Sequence, residues 1–150
     1  MNRIKIDYKK IVLKQLEPKD VRMVYVKWLN DPEVNKFLEI RHKIPFLKDD
    51  VIEFVKMCNK MKRYHWGIMY NKKHVGNISC SSVDRIYNYV NISNLIGIKK
   101  YWNSDICKLS LNAAMHYLFF NSMFKSIDSS IHPATIMWLD LFFKPSNSFF

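Results

Sequence analysis

The spacing of apolar residues changes at Arg63, and that change limits this chain to a mixed fold. From His65 onward three short runs alternate, His65–Tyr70, His74–Val83 and Tyr89–Ile98, with Asn71-Lys72-Lys73 as the first turn. Such runs form an antiparallel meander. Before them the spacing is helical. A strand over residues 10–16 is followed by Glu17-Pro18-Lys19-Asp20, which opens a helix with the apolar stripe Val21, Val24, Tyr25, Trp28 and Leu29. Asn30-Asp31-Pro32 stops it, because proline disfavours helical geometry at the residue before it. A second helix runs from about Leu47 to Arg63, with Leu47, Val51, Val55, Cys58 and Met61 as its apolar face. Asp49, Asp50 and Glu53 lie near its start and Lys60, Lys62 and Arg63 near its end, which suits the helix dipole without any ligand. After the meander come a helix from Ile106 to Phe120, an alternating strand from Lys125 to Ile131, and a helix from Ala134 to Lys144 ended by Pro145. The order β-α-α-β-β-β-α-β-α predicts an α/β (α+β) domain, helices packed on a central sheet.

Length and composition narrow the function. With 150 residues, 49% hydrophobic and 15% aromatic, the chain is expected to bury one core and form a single domain over 1–150. Only three glycines occur, and Gly67, Gly76 and Gly97 stand far apart. An intact P-loop or dinucleotide-binding turn is therefore excluded. No apolar run approaches the roughly 18 residues of a spanning helix, and the N-terminus has no hydrophobic signal core. Cys58, Cys80 and Cys107 are odd in number and lack a C-x-x-C pair, so reduced thiols in a cytoplasmic protein are expected. The net charge is +11, and residues 1–75 hold 18 of the 24 Lys and Arg. A basic half attracts anions, but the lysines are scattered over polar helix faces, and no nucleic-acid motif accompanies them.

Ile96 to Leu109 carries the most chemistry. There a strand ends, a loop follows and a helix begins, so the first helical N–H groups point into the loop as an anion site. Lys99 and Lys100 lie just before it. Taken alone, the feature is better read as an ordinary strand-to-helix connection with two surface lysines. His65, His74 and His116 lack a second ligand at metal spacing, so no metal is expected. His132, after the last strand, is a candidate base or a loop-satisfying residue. Trp28 and Trp66 read as core. Cys107 sits at a helix start, which favours a thiolate, but Asp105 opposes that, and no acyl-cysteine is expected.

Three short words carry a resemblance. They are Trp28-Leu29-Asn30-Asp31-Pro32-Glu33-Val34, His74-Val75-Gly76-Asn77-Ile78, and Leu95-Ile96-Gly97 followed by Tyr101-Trp102. In register within this element order, over roughly residues 10–145, the chain resembles the GNAT superfamily of acyl-CoA-dependent N-acyltransferases. The resemblance is nearest to the branch of ribosomal-protein N-terminal and amino-sugar acetyltransferases. It implies a mixed, mostly antiparallel sheet flanked by helices, with Ile96, Gly97 and Ile98 along the pantetheine. The loop Trp102, Asn103, Ser104, Asp105, Ile106 and Cys107 would then lie at the pyrophosphate. The implied donor is acetyl-CoA and the implied acceptor a primary amine, a protein N-terminus or an amino sugar. No membrane partner is implied.

The departures fall on chemistry. Asp105 and Cys107 stand where the family's loop has glycine, and Asn103 replaces a further glycine. Asn91 aligns with a candidate acidic base, and an amide takes no proton at neutral pH. Phe142 aligns with a tyrosine proposed as general acid, and Ser146-Asn147 with a Gly-Phe pair. A carboxylate at Asp105 is expected to repel a pyrophosphate and weaken CoA binding. The family continues with further strands, so a shortened domain is expected. Its open sheet edge would be left bare or covered by a second copy. Two rival expectations stand beside an active acetyltransferase: a GNAT-like binding domain without activity, and a basic nucleic-acid-binding domain.

Overall fold

Among the described residues six strands form one sheet in the order of the sequence: β1 (Lys5–Tyr8), β2 (Ile11–Gln15), β3 (His65–Tyr70), β4 (Lys73–Asp84), β5 (Tyr89–Ile96) and β6 (Ser126–Ser129). The computed structural model describes residues 5–36, 38, 42–43, 45–84, 86–121 and 126–129. Neighbours from β1 to β5 are antiparallel, and β6 runs parallel to β5. Short turns dictate the antiparallel part. Asn71 and Lys72 both have positive φ, 48° and 62°, which matches the twist of a two-residue hairpin. The parallel pair needs a crossover, and the helix α4 (Ile106–Asn121) supplies it.

Three helices precede the meander: α1 (Met23–Asn30), α2 (Pro32–Asn35) and α3 (Lys48–Lys60). The sheet is covered on both faces. Trp66, Ile68, Ile78, Val90 and Ile92 point towards α4 and meet Ile106, Leu109, Ala113 and Leu118. On the other face Tyr25, Val26, Trp28 and Leu29 of α1 pack with Val34 of α2 and Val51 and Val55 of α3. Trp28 and Trp66 are both core, as their spacing predicts. A buried polar clasp ties α3 to β2: Gln15 Nε2 donates to Asn59 Oδ1 at 3.0 Å, and Asn59 Nδ2 donates to the Leu16 carbonyl at 3.0 Å.

The mixed architecture agrees with the sequence, and four details differ. A strand not expected, β1, pairs with β2 across Lys9 and Lys10, Lys9 having φ 53°. The first helix does not start at Pro18. Pro18–Asp20 is a 3₁₀ turn, Val21 is extended at φ −72°, ψ 105°, and α1 begins at Met23. That offset rotates the buried stripe, so Val24 is 41% exposed and Val26 takes its place. On α3 the terminal residues Leu47 and Met61 are exposed, leaving Val51, Val55 and Cys58 as the buried face. The strand expected over Tyr89–Ile98 ends at Ile96, because Gly97 and Ile98 turn their amides to the carbonyl of Val75, at 3.0 and 3.4 Å. The helix expected over Ala134–Lys144, with Phe142, and the Ser146-Asn147 pair lie outside the described residues.

Those two amides mark a junction built from all three sequence words. Pairing between β3 and β4 slips between Ile68 and Met69, so Val75 is the extra residue of a bulge. Its carbonyl turns to the end of β5. A Cβ on Gly76 would lie 2.2 Å from the Leu95 carbonyl oxygen, and one on Gly97 would lie 1.9 Å from the Trp28 ring. Glycine is required at both places by close approach. Asp31 caps α2 by accepting from the Glu33 amide at 2.9 Å, and Pro32 occupies the first helical position. Asn30 holds the following segment: its Nδ2 donates to the Phe46 carbonyl and its Oδ1 accepts from the Phe46 amide, at 2.9 and 2.7 Å.

Gly97→Ala is expected to cost about 1–3 kcal/mol, the usual range for overpacking a filled site. Gly67→Ala meets chiefly the movable tip of Leu16 at 2.8 Å and should cost less. Urea denaturation of the two variants, compared with the parent, measures both effects.

Candidate active site

Beyond Ile96 the chain turns back on itself before α4. Lys99–Tyr101 is a 3₁₀ turn, the Trp102 amide donates to the Lys99 carbonyl at 3.0 Å, and the Ser104 amide to the Tyr101 carbonyl at 3.1 Å. Ser104 Oγ accepts from the Ile106 amide at 3.3 Å, and the Asp105 carbonyl accepts from the Leu109 amide at 2.8 Å. The amides of Cys107 and Lys108 lie in the first turn of α4, where no intrahelical acceptor exists. The loop therefore presents the positive end of a 16-residue helix without glycine.

The sequence-predicted loop residues do come together here, and the side chains of Trp102, Ser104 and Asp105 are engaged. Trp102 folds back and its indole N–H donates to the Ile96 carbonyl at 2.8 Å, closing the loop onto the end of β5. Gly97 is buried beneath Trp28, and Ile98 is half-buried. Asn103 and Asp105 are exposed. Asp105 is not alone, as its carboxylate pairs with Lys10 of the β1–β2 turn at 2.8 Å. That hydrogen bond holds its carboxyl below the usual carboxylate range. The repulsion expected from Asp105 is thus countered by a lysine that the linear sequence places 95 positions away. Lys99 is engaged as well. Its Nζ reaches Asp31 at 3.0 Å and also contacts Glu33, tying the α1–α2 corner to the loop. Lys100 lies over the Tyr101 ring at 4.9 Å. Cys107 is half-buried, and burial pushes its thiol up to about 11, which disfavours the thiolate at neutral pH.

On the α4 face of β5, Asn94 Nδ2 donates to Ser110 Oγ at 3.1 Å, while its buried Oδ1 has no hydrogen-bond partner. A buried unpaired acceptor at this place suits an amide N–H of a pantetheine arm. The described β5–β6 ladder runs from Tyr89↔Ser126 to Ile92↔Ser129, whereas β5 itself continues to Ile96.

The opposite face of the same strands is polar. Ser79 pairs across to Ser93, and Ser81 to Asn91, in the antiparallel register of β4 and β5. Asn91 is half-buried and also stands opposite Asp128 of β6. His132, the other candidate base, lies outside the described residues. What the sequence reading missed is a polar chain beside that row. His65 is buried between Tyr25 and Ser79: Nε2 lies 2.9 Å from the Tyr25 hydroxyl and Nδ1 lies 2.6 Å from Ser79 Oγ. His74 joins the cluster, its Nε2 bound to Asn77 Oδ1 at 2.7 Å and its ring edge-on to Tyr25 and Trp28. The strand alternation of His65 was legible, but its partners come from two other elements. Among the described residues no three His, Cys, Asp or Glu converge as metal ligands. None of the described helices is long and apolar enough to cross a membrane.

Burial lowers His65 to about 4, with His74 adding repulsion, and burial lowers His74 as well. The unfolded chain protonates His65 near pH 6.5. The native contribution is therefore complete above that pH and is lost as pH falls towards 4, about 3 kcal/mol in all. Asp31 and Asp105, each held low by a lysine hydrogen bond, titrate below this window. The urea midpoint should drop between pH 7 and pH 4.5, and His65→Gln should flatten that drop.

Comparison with known proteins agrees with this geometry. The sequence pattern of the acetyltransferase (GNAT) domain matches residues 10–135, and the chain belongs to that family. No curated protein matches it closely enough to serve as a relative. Among solved structures it is similar to a GNAT-family acetyltransferase from Bacillus anthracis, with 18% identity over 89% of this chain and 77% of that one, at a TM-score of 0.71. It is similar to a spermidine N-acetyltransferase chimera from Vibrio cholerae and hSSAT, with 13% identity over 89% and 78% of the two chains and a TM-score of 0.72. It is also similar to a ribosomal alpha-N-protein acetyltransferase, with 15% identity over 77% and 65% and a TM-score of 0.62. At these identities the likeness is one of fold.

Proposed function

We propose that this chain transfers an acetyl group from acetyl-CoA to a primary amine, on a protein N-terminus or an amino sugar. The observation that carries the reading is a set of three features along β5 and at the start of α4. They are the unpartnered N–H groups at the start of α4, the unpaired Oδ1 of Asn94, and the polar face of Asn91, Ser93 and Ser79 behind them. The pyrophosphate lies against the amides of Cys107 and Lys108, with the loop Trp102 to Cys107 around it. The pantetheine arm follows Ile96, Gly97 and Ile98, with Asn94 accepting from one of its amides. The acceptor amine approaches over Ser93 and Asn91.

Direct transfer suits this site. The high thiol of Cys107 argues against an acyl-enzyme, so the amine itself attacks the thioester carbonyl. The protein orients both partners and supplies a route for one proton. The net charge of +11 disfavours a polycation as acceptor and favours an amine that carries little other positive charge. The three free cysteines fit a reducing, cytoplasmic compartment.

Calorimetry with acetyl-CoA tests the donor, and thiol release with a panel of peptide N-termini and amino sugars tests the reaction. Saturable binding and amine-dependent thiol release are expected. No binding at millimolar acetyl-CoA would overturn the reading. Within the site, Lys10→Ala should weaken acetyl-CoA binding several-fold by leaving the Asp105 charge uncompensated, and Asp105→Gly should strengthen it. Equal affinity in both variants would remove the Lys10–Asp105 pair from the cofactor site.

A further inference from the structure

Asn91 stands where the resemblance implies an acidic candidate base, and an amide takes no proton at neutral pH, so the proton of the acceptor must leave by another route. Resting on the acetyl-transfer reading, we infer that Ser79 takes this proton and His65 holds it, with Tyr25 fixing the imidazole. The register places the three stations in line. Ser93 on β5 stands opposite Ser79 on β4, and Ser79 stands opposite His65 on β3. All three side chains lie on the face that α1 and α3 cover only in part. Ser79 and Ser93 are half-buried, whereas His65 is 2% exposed. The chain thus leads from a surface that an amine can reach to a base that water cannot.

The relay requires one tautomer of His65, and both ring nitrogens have a partner for it. Ser79 Oγ lies 2.6 Å from Nδ1, and Tyr25 Oη lies 2.9 Å from Nε2. With Nδ1 accepting from the Ser79 hydroxyl, the ring proton sits on Nε2 and is donated to the Tyr25 oxygen. Burial disfavours ionisation of the Tyr25 phenol, which keeps it neutral. Three further groups border the pair. Phe54 of α3 stands edge-on to the imidazole at 5.1 Å between centroids, His74 of β4 acts on its charge, and Cys58 of α3 acts on Tyr25.

The step balances within the site. The amine nitrogen bonds to the thioester carbonyl carbon and becomes positively charged. One of its protons passes to Ser79 Oγ as the Ser79 proton passes to His65 Nδ1. The C–S bond then breaks, the thiolate leaves with the bonding pair, and the same proton returns through Ser79 to the sulfur. Amide, free thiol and neutral His65 result. Burial lowers the basicity of this imidazole, so it holds the proton only transiently before returning it.

Ser79 touches the acceptor, and His65 and Tyr25 act through it. Ser79→Ala is therefore expected to lower kcat about a hundredfold with the KM for acetyl-CoA unchanged, and Ser79→Thr is expected to recover most of it. Nitrogen NMR of the parent chain should show a neutral His65 with its proton on Nε2, and Tyr25→Phe should weaken that preference. A proton found on Nδ1 overturns the relay, whatever the activity. Full turnover in both Ser79→Ala and His65→Gln overturns it too, and leaves acetyl transfer standing. A parent chain that binds acetyl-CoA but acetylates no amine of the panel overturns both.

Discussion

The contact between Trp28 and Gly97 governs the rest of the structure. The indole of α1 occupies the volume that any side chain at position 97 would need. Because it does, β5 ends at Ile96, the next two amides turn to the bulged carbonyl of Val75, and the loop before α4 begins in a fixed direction. The same tryptophan brings the α1–α2 corner close enough for Asp31 and Glu33 to hold Lys99. One close approach between a helix and a strand end thereby positions the start of the loop before α4. Buried side chains pack at crystal-like density, so such a position is over-determined rather than adjustable.

The loop between β5 and α4 is held by its own side chains rather than by glycine. Glycine in such a loop lets a backbone come near a phosphate. Here the loop is closed instead by the Trp102 indole on the Ile96 carbonyl and by Ser104 on the first amide of α4. Asp105 brings a charge of the wrong sign, and Lys10 from the opposite end of the sheet counters it. The loop and the first hairpin are electrostatically one unit, which gives β1 and its turn a purpose beyond extending the sheet.

The polar face of β4 and β5 divides its work differently from its apolar face. Towards α4 the strands present mainly valine and isoleucine, with Asn94, Ser110 and the Trp66 indole N–H among the polar groups there. Towards α1 and α3 they present histidine, serine and asparagine, and α1 answers with Tyr25 rather than with an aliphatic residue. The buried His65 is fully satisfied and strongly held neutral. Its cost in acid is the counterpart of its order at neutral pH.

Much of this was legible in the linear sequence, because it depends on local spacing. The period-2 runs fixed β3, β4 and β5 nearly to the residue, and the apolar spacing fixed α4. The words around Trp28, Gly76 and Gly97 marked the acyl-CoA fold, since glycine is needed wherever backbones touch. Local rules failed where a neighbour decided. A 3₁₀ turn at Pro18 moved the start of α1 and so exchanged Val24 for Val26 in the core. The β1 strand is short and charged, and only its pairing with β2 makes it a strand. Sequence alone determined which fold this is and where the loop between β5 and α4 lies. Only the tertiary structure decided which charges face each other, Lys10 with Asp105 and Lys99 with Asp31. It also decided that His65 meets Tyr25 and Ser79, because those partners come together through sheet register and helix packing rather than through spacing along the chain.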